Sequence, residues 1–370
     1  MINNKLRSAF NEVNQLINDY KYDDAINKLN KIMMEYRGYD FIKSITIYNK
    51  ALIYEKKAEY NKAIKNLEKA FKIKNYSEIL FKEYEIYIYK NELNKALETI
   101  NRIIDNDETI FFGYDLKFNF LFEHKMYEQA EEVIKITEEY FEKSSIILLN
   151  KVKLFVMTNK FEEALELIEE EKNNNEIKYD LQVEKAKVLL LKHEFYEALK
   201  LLKDVNSKIP EEIDVIYLIG AISIFTGDIE EAHKYLKSLL NMKYNEKKSY
   251  LLGLYYYGVT LKKLDSKDKV KEYFKWLLYR YSICSLNNPY DVKIMLLKES
   301  VLYELEEYDK ALEEAKRIEV LAPGIVETKF IQALIYKEKN NIKEYEKIKE
   351  KINKENSTMK MFLEFLGEGD

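Results

Sequence analysis

Three stretches decide the fold: Phe161-Glu-Glu-Ala164-Leu-Glu-Leu-Ile168, Phe195-Tyr-Glu-Ala198-Leu-Lys-Leu-Leu202 and Ile229-Glu-Glu-Ala232-His-Lys-Tyr-Leu236. In each, a large apolar residue stands three before an alanine and another stands four after it. The alanines are 34 residues apart. Working outward, the same step runs back through Ala130 and Ala96, and the ladder extends to Ala63 and Ala25. Downstream it reaches Val270, Ala311 and Tyr345, the last step again being 34. A fixed period in this range marks a solenoid of helix pairs.

Each small anchor opens the buried face of a second helix. Three residues before it lie Tyr22, Tyr60, Leu93, Tyr127, Phe161, Phe195, Ile229, Tyr308 and Ile342. Four after it lie Leu29, Leu67, Ile100, Ile134, Ile168, Leu202, Leu236 and Phe274. Seven after it lie Ile32, Ala70, Ile103, Val205, Leu239, Leu277, Ile318 and Ile352. Spacings of three, four and seven put these side chains on one helical stripe. The anchor is small because a neighbouring helix crosses there. The first helix of each pair carries an apolar residue nine before the anchor, as at Leu16, Tyr54, Tyr87, Leu121 and Leu189. Twelve before the anchor it is often small: Ala51, Ala186, Gly220, Gly258 and Ala333. Thr226-Gly227-Asp228 has turn chemistry where two helices part, and Pro210 and Pro323 fall where second helices stop.

This pattern resembles the tetratricopeptide repeat, with its 34-residue helix–turn–helix unit, small residues at close crossings and aromatic plugs. The 34-residue steps favour that form over a Sel1-like or bare helical repeat. The resemblance implies an all-α, right-handed superhelical α-solenoid. About ten repeats are expected over residues 1–356, with a capping helix and tail over 357–370. The pattern loosens in places. The steps into Ala63 and Val270 are 38 residues and the step into Ala311 is 41. Val270 and Tyr345 are large for an anchor, and Glu299 stands where a small residue is expected. A bend or altered helical path is therefore expected within 240–310.

A chain of 370 residues would ordinarily suggest two or three domains, but a repeat array is one continuous body. Gly is 9 and Pro is 3, too few for turn-rich β structure, and charged residues are 34%. The net charge of −5 gives no general pull toward nucleic acid or a membrane surface. The first residues lack an apolar run of signal-peptide length, and no apolar stretch is long enough to span a bilayer. The single cysteine, Cys284, makes no internal disulfide, and a reducing, cytoplasmic setting is expected.

No constellation carries catalysis. His124, His193 and His233 are far apart and form no paired metal-ligand spacing, and no glycine-rich phosphate loop is present. The acidic pairs Glu131/Glu132 and Glu162/Glu163 belong on solvated faces. The expectation is a non-enzymatic chain with no catalytic residues, metal or cofactor. The repeat pattern begins near Arg7, so a DNA-binding domain ahead of it is not expected.

The resemblance implies that first helices line a concave groove. The positions expected to face it lie 15, 14 and 11 before each anchor. The first row includes Phe10, Tyr48, Phe81, Asp115, Tyr217 and Tyr255. The second includes Asn11, Asn49, Lys82 and Asn150, and the third Asn14, Asn119, Lys153 and Lys187. The family's Lys/Asn clamp for a terminal carboxylate is missing, its places being taken by Phe, Tyr and Leu. Aromatics beside asparagines suit a peptide backbone, because an amide pairs with both N–H and C=O. Some of these aromatics are also expected to belong to the core.

Charge is unevenly spread. Residues 123–184 hold 16 acidic and eight basic groups; residues 234–281 hold 12 basic and four acidic. Lys262, Lys263, Lys267, Lys269 and Lys271 are expected to cluster at one inter-helix turn, either as a solvated face or as a patch for an acidic partner. The leading expectation is a scaffold, adaptor or chaperone-like holder that binds a protein or peptide segment in the groove. Alternatives are a peptide-sensing allosteric regulator without its own DNA-binding domain, and a subunit of a nucleic-acid-associated or defence complex using 234–281. Head-to-tail or homodimeric pairing stays open, and no membrane partner is expected.

Overall fold

The computed structural model describes residues 2–106, 111–141, 144–243 and 247–355; the expected capping segment 357–370 lies outside them. The described residues form twenty α-helices and one 3-10 turn, with no strand among them. The chain divides into two compact units, Met1–Asn159 and Lys160–Asp370. The first holds α1 (Ile2–Asn18), α2 (Tyr22–Glu35), α3 (Asp40–Lys56), α4 (Tyr60–Ile73), α5 (Ser77–Tyr89), α6 (Leu93–Asn106), α7 (Phe111–Glu123), α8 (Tyr127–Tyr140) and α9 (Ser145–Met157). The second holds α10 (Phe161–Glu170), α11 (Lys178–Leu191), α12 (Phe195–Lys208), α13 (Ile213–Phe225), α14 (Ile229–Ser238), α15 (Lys248–Leu264), α16 (Lys267–Asn287), α17 (Val292–Glu304), α18 (Tyr308–Leu321), α19 (Val326–Glu338) and α20 (Ile342–Glu355). Within each unit successive helices pack on their chain neighbours, giving an all-α solenoid.

The anchors set the helix register. Every even-numbered helix begins three residues before its anchor, from Tyr22 before Ala25 to Ile342 before Tyr345. Ala25, Ala63, Ala96, Ala130, Ala164, Ala198, Ala232 and Ala311 are all 0% exposed. The large anchors Val270 and Tyr345 are only half-buried. The small positions on the first helices are as tight. A Cβ added to Gly220 would lie 2.4 Å from the Leu236 side chain, and one added to Gly258 would lie 2.8 Å from the Phe274 ring.

The irregular steps are taken up as helix length. α3 and α15 have 17 residues where most other first helices have 13, which supplies the surplus of the 38-residue steps. α16 has 21 residues where second helices commonly have 14, which supplies the seven extra residues before Ala311. Four residues make about 1.1 turns and seven about 1.9, so each insertion returns the apolar stripe close to its original face. The disturbance expected within 240–310 is therefore located in the added turns of α15 and α16.

The turns inside the helix pairs share one backbone solution. Tyr20, Ala58, Asn91, Lys125, Asn159, His193, Gly227, Glu306 and Asn340 all have positive φ, each two residues before a second helix. In most of these turns the next N–H reaches back to the carbonyl five residues earlier: Lys21 to Leu16 (2.8 Å), Glu59 to Tyr54 (2.8 Å), Glu194 to Leu189 (2.8 Å) and Glu307 to Leu302 (2.9 Å). That closure satisfies the orphan carbonyls of a helix end. Those carbonyls belong to the apolar row nine before the anchor.

Of the buried glutamates, Glu83, Glu184, Glu299 and Glu314, two have their carboxyl groups pushed upward by burial. Glu83 of α5 is paired with Arg102 of α6 at 2.8 Å, and burial still pushes its carboxyl upward against the guanidinium. Glu299 of α17, at the small position, is fully buried and accepts a 2.8 Å bond from the Thr328 hydroxyl on α19; its Oε2 has no hydrogen-bond partner among the described residues. Burial raises its pKa to about 9, with the negative charges of Glu314 and Glu319 adding to the effect.

Ala198→Leu overpacks a crossing and is expected to cost about 1–3 kcal/mol, whereas Glu197→Leu, one residue off the stripe, stays within about 0.5 kcal/mol in the same thermal melt. Gly220→Ala is expected to destabilise despite alanine's helix propensity advantage of about 1 kcal/mol. Because Glu299 holds its proton in the folded chain but not in the unfolded one, its stabilising contribution is full below the unfolded carboxyl pKa. It falls as pH rises toward about 9. Melting curves of Glu299→Gln should lose that part of the decline between pH 5 and 9; parallel pH profiles for the variant and the unmodified chain would contradict the assignment.

Candidate interaction surface

The positions 15, 14 and 11 before an anchor fall on one face of a first helix, and adjacent first helices bring their rows together. On α5, Phe81 stacks on Tyr84 at 5.8 Å and meets Phe112 of α7 edge-on at 5.3 Å. Burial pushes the Tyr84 hydroxyl up to about 12, helped by the carboxylates of Glu123 and Glu85. Tyr48 of α3 is half-buried, and burial raises its hydroxyl too. Beside it Lys82 bridges Glu55 (2.9 Å) and Glu85 (3.0 Å), so this row lysine is already engaged. Asn49 donates to the Ile45 carbonyl of its own helix at 2.8 Å.

The centre of the face is Asp115 on α7. Its Oδ2 accepts from Asn119 at 3.1 Å and its Oδ1 accepts from Asn150 of α9 at 3.2 Å. Asn119 is exposed, whereas Asn150 is buried. Beneath them Tyr114, Phe118, Thr137 and Ile147 line a shallow cleft with room for a single water. Three positions singled out by spacing thus meet at one carboxylate. Asp115 was legible as the charged residue in a row of rings and aliphatics, but its part in joining two asparagines was not. Phe10 is half-buried in the cluster formed by α1 to α3, and Asn11 and Asn14 are exposed on α1. Lys153 is half-buried on α9.

The remaining row residues belong to the second unit and are engaged there. Lys187 pairs with the buried Glu184 at 2.7 Å. Tyr217 of α13 stacks on Tyr256 of α15 at 6.0 Å, and burial raises its hydroxyl. The Tyr255 hydroxyl donates to Glu304 at 3.3 Å, and Glu304 also takes Lys262 at 2.7 Å. Tyr255 is therefore committed to holding α15 against α17.

The five lysines do flank one turn: Lys262 and Lys263 end α15, and Lys267, Lys269 and Lys271 open α16. All are exposed. Lys262 is bound to Glu304 and Lys269 to Asp265 (3.0 Å), and Asp268 and Glu272 are interspersed among them. His124 and His233 engage the Phe120 carbonyl (2.7 Å) and the Thr260 hydroxyl (3.1 Å), and Cys284 is buried. Among the described residues no group of three or more His, Cys, Asp or Glu side chains is placed to hold a metal ion, and no helix is long and apolar enough to cross a membrane.

No family model matches the chain, and no curated protein matches its sequence. Solved structures do. A tetratricopeptide repeat protein from Parabacteroides merdae superposes with a TM-score of 0.52 at 16% identity, over 69% of this chain and 98% of that one. The structure of an APC/C hetero-tetramer, Cut9–Hcn1, superposes with a TM-score of 0.50 at 12% identity, over 95% of this chain and 82% of that one. The fold is the tetratricopeptide solenoid. At these identities the likeness extends to the architecture of tetratricopeptide helix pairs and stops there. The site chemistry must come from this chain's own residues.

Removing Asp115 tests how the face is held. Asp115→Ala leaves the buried Asn150 amide without its acceptor and is expected to cost about 1–3 kcal/mol. Asn119→Ala, removing an exposed amide, is expected to cost less than about 1 kcal/mol in the same denaturant titration.

Proposed function

We propose that this tetratricopeptide chain is a non-enzymatic interaction scaffold. In this reading its first unit holds an extended protein or peptide segment across α3, α5, α7 and α9. The observation that carries the reading is the Asp115 junction. One carboxylate fixes two asparagine amides from neighbouring first helices, a few residues from the Phe81–Tyr84–Phe112 rings. Each amide spends an N–H on Asp115. Its carbonyl oxygen has no partner among the described residues, so it can accept from a peptide N–H. The rings give contact area at little cost in side-chain entropy.

A cytoplasmic setting fits the lone buried thiol. An allosteric regulator would use the same face and differ only in what its partner then does. A polyanion on the α15–α16 turn is the weaker reading, because acids already engage two of its five lysines.

The test is affinity capture with a Tyr48→Ala/Asn49→Ala/Asn119→Ala variant that keeps its helical circular dichroism. The unmodified chain is expected to retain a discrete protein or peptide that the variant loses. An identical capture profile would remove the support for this face. Retention that depends on Lys263, Lys267 and Lys271 and vanishes with salt would favour the polyanion.

A further inference from the structure

Among the described residues the other second helices expose at most two large apolar side chains each, such as Ile136 and Tyr140 of α8, and α16 exposes four. Its buried seam is Phe274, Leu277, Tyr281 and Cys284, all 0% exposed. On the opposite side Trp276, Tyr279, Ile283 and Leu286 are 39%, 65%, 39% and 77% exposed. Both sets follow the same steps of three, four and three, so α16 carries two apolar stripes roughly half a turn apart. A surface helix with apolar residues on both faces is covered on both in its functional state. α16 is also the longest helix among those described, two turns longer than α18, and the added length extends both stripes.

We propose that the outer stripe of α16 pairs antiparallel with the same stripe of a second copy of this chain. The spacing is symmetric about residue 281. A two-fold axis there sets Trp276 against Leu286 and Tyr279 against Ile283, each contact occurring twice, as an isologous interface requires. Charge selects the antiparallel direction. Lys267, Lys269 and Lys271 lie in the first turns of α16, where the helix dipole opposes them. The last turn carries no basic residue to offset its own negative end. Antiparallel pairing about residue 281 sets Lys275 level with the last residue of the other copy's α16, at its uncompensated C-terminus, with Lys271 one turn beyond. Parallel pairing would place the lysines of the two copies side by side. Between Trp276 and Leu286 the only charged residue is Arg280, which lies over the Trp276 ring at 5.4 Å.

The four side chains expose roughly 400 Å² per copy, so two copies cover about 800 Å² before flanking residues add to it. That lies below the roughly 1,200 Å² at which stable specific interfaces begin, so the dimer is a weak, concentration-dependent one, with dissociation at about tens of micromolar.

Trp276 is the sole tryptophan, so its emission reports directly on the stripe. Sedimentation of the full chain between about 1 and 200 μM should show a monomer–dimer equilibrium. Trp276 emission should shift to the red on dilution with the same midpoint. Tyr279→Glu/Ile283→Glu should remain monomeric throughout, with unchanged circular dichroism and red emission at every concentration. Tyr196→Glu, at an equally exposed aromatic on α12, should dimerise as the unmodified chain does. A monomer at 200 μM with concentration-independent blue emission would mean that the stripe is covered within one chain, and would overturn the proposal. A monomer with red emission would mean that no second copy binds it. A dimer unaffected by the double substitution would place the interface elsewhere.

Discussion

The structure depends on a close helix crossing that a methyl group fills at eight of its ten anchors. Eight alanines at the start of second helices have no accessible surface, and glycines at the matching point of first helices have other side chains where a Cβ would go. Interiors are packed to crystal-like density, so a crossing this close fixes both the rotation of each helix and where it begins. Because each repeat packs on its neighbours, the same requirement returns once per repeat and the array follows from repetition. Where the anchor is valine or tyrosine, it is half-buried, and the helix still starts three residues before it. Lys267 and Ile342, which open these two helices, are exposed, so the buried stripe after the anchor holds the register there.

The same constraint explains how the array tolerates extra length. An insertion of arbitrary size would rotate the buried stripe out of the core. The extra four residues of α3 and α15 and the extra seven of α16 are close to whole turns, so the stripe is extended rather than rotated away. On α16 the added turns also lengthen an outer surface that no crossing constrains, and there the sequence is free to acquire a second apolar stripe.

Fold legibility follows from how local the determinants are. Helix register could be read because an anchor and its apolar companions lie within about ten residues of each other and are repeated ten times. The positive-φ turns could not, since the position is filled by Tyr20, Ala58, Lys125 and Glu306 as readily as by Gly227. The backbone closure there supplies what residue type does not announce. Nor does composition mark the division at Asn159, which falls inside the regular 34-residue step from Ala130 to Ala164. Of the surface, the rows were legible but their pairings were not. Asp115 meets Asn150 across 35 residues and Tyr255 meets Glu304 across 49. Those separations depend on how neighbouring first helices are placed, which spacing within one repeat does not encode.

This difference separates two kinds of position on the same helices. Tyr255 and Asn150 stand at equivalent or adjacent places in their repeats, yet one ties α15 to α17 while the other joins an aspartate beside an aromatic cluster. What distinguishes them is the neighbouring repeat: Glu304 is a side-chain acceptor for Tyr255, whereas Asp115 leaves each of its two amides with unspent capacity. In a repeat array every first-helix row begins as a surface, and it becomes structural wherever the next repeat supplies a partner that uses all of it. A binding face is then the part of the row whose polar groups are held in place but not fully used. By that criterion the proposed face falls on α7 and α9, and the row on α11 to α15 is structural.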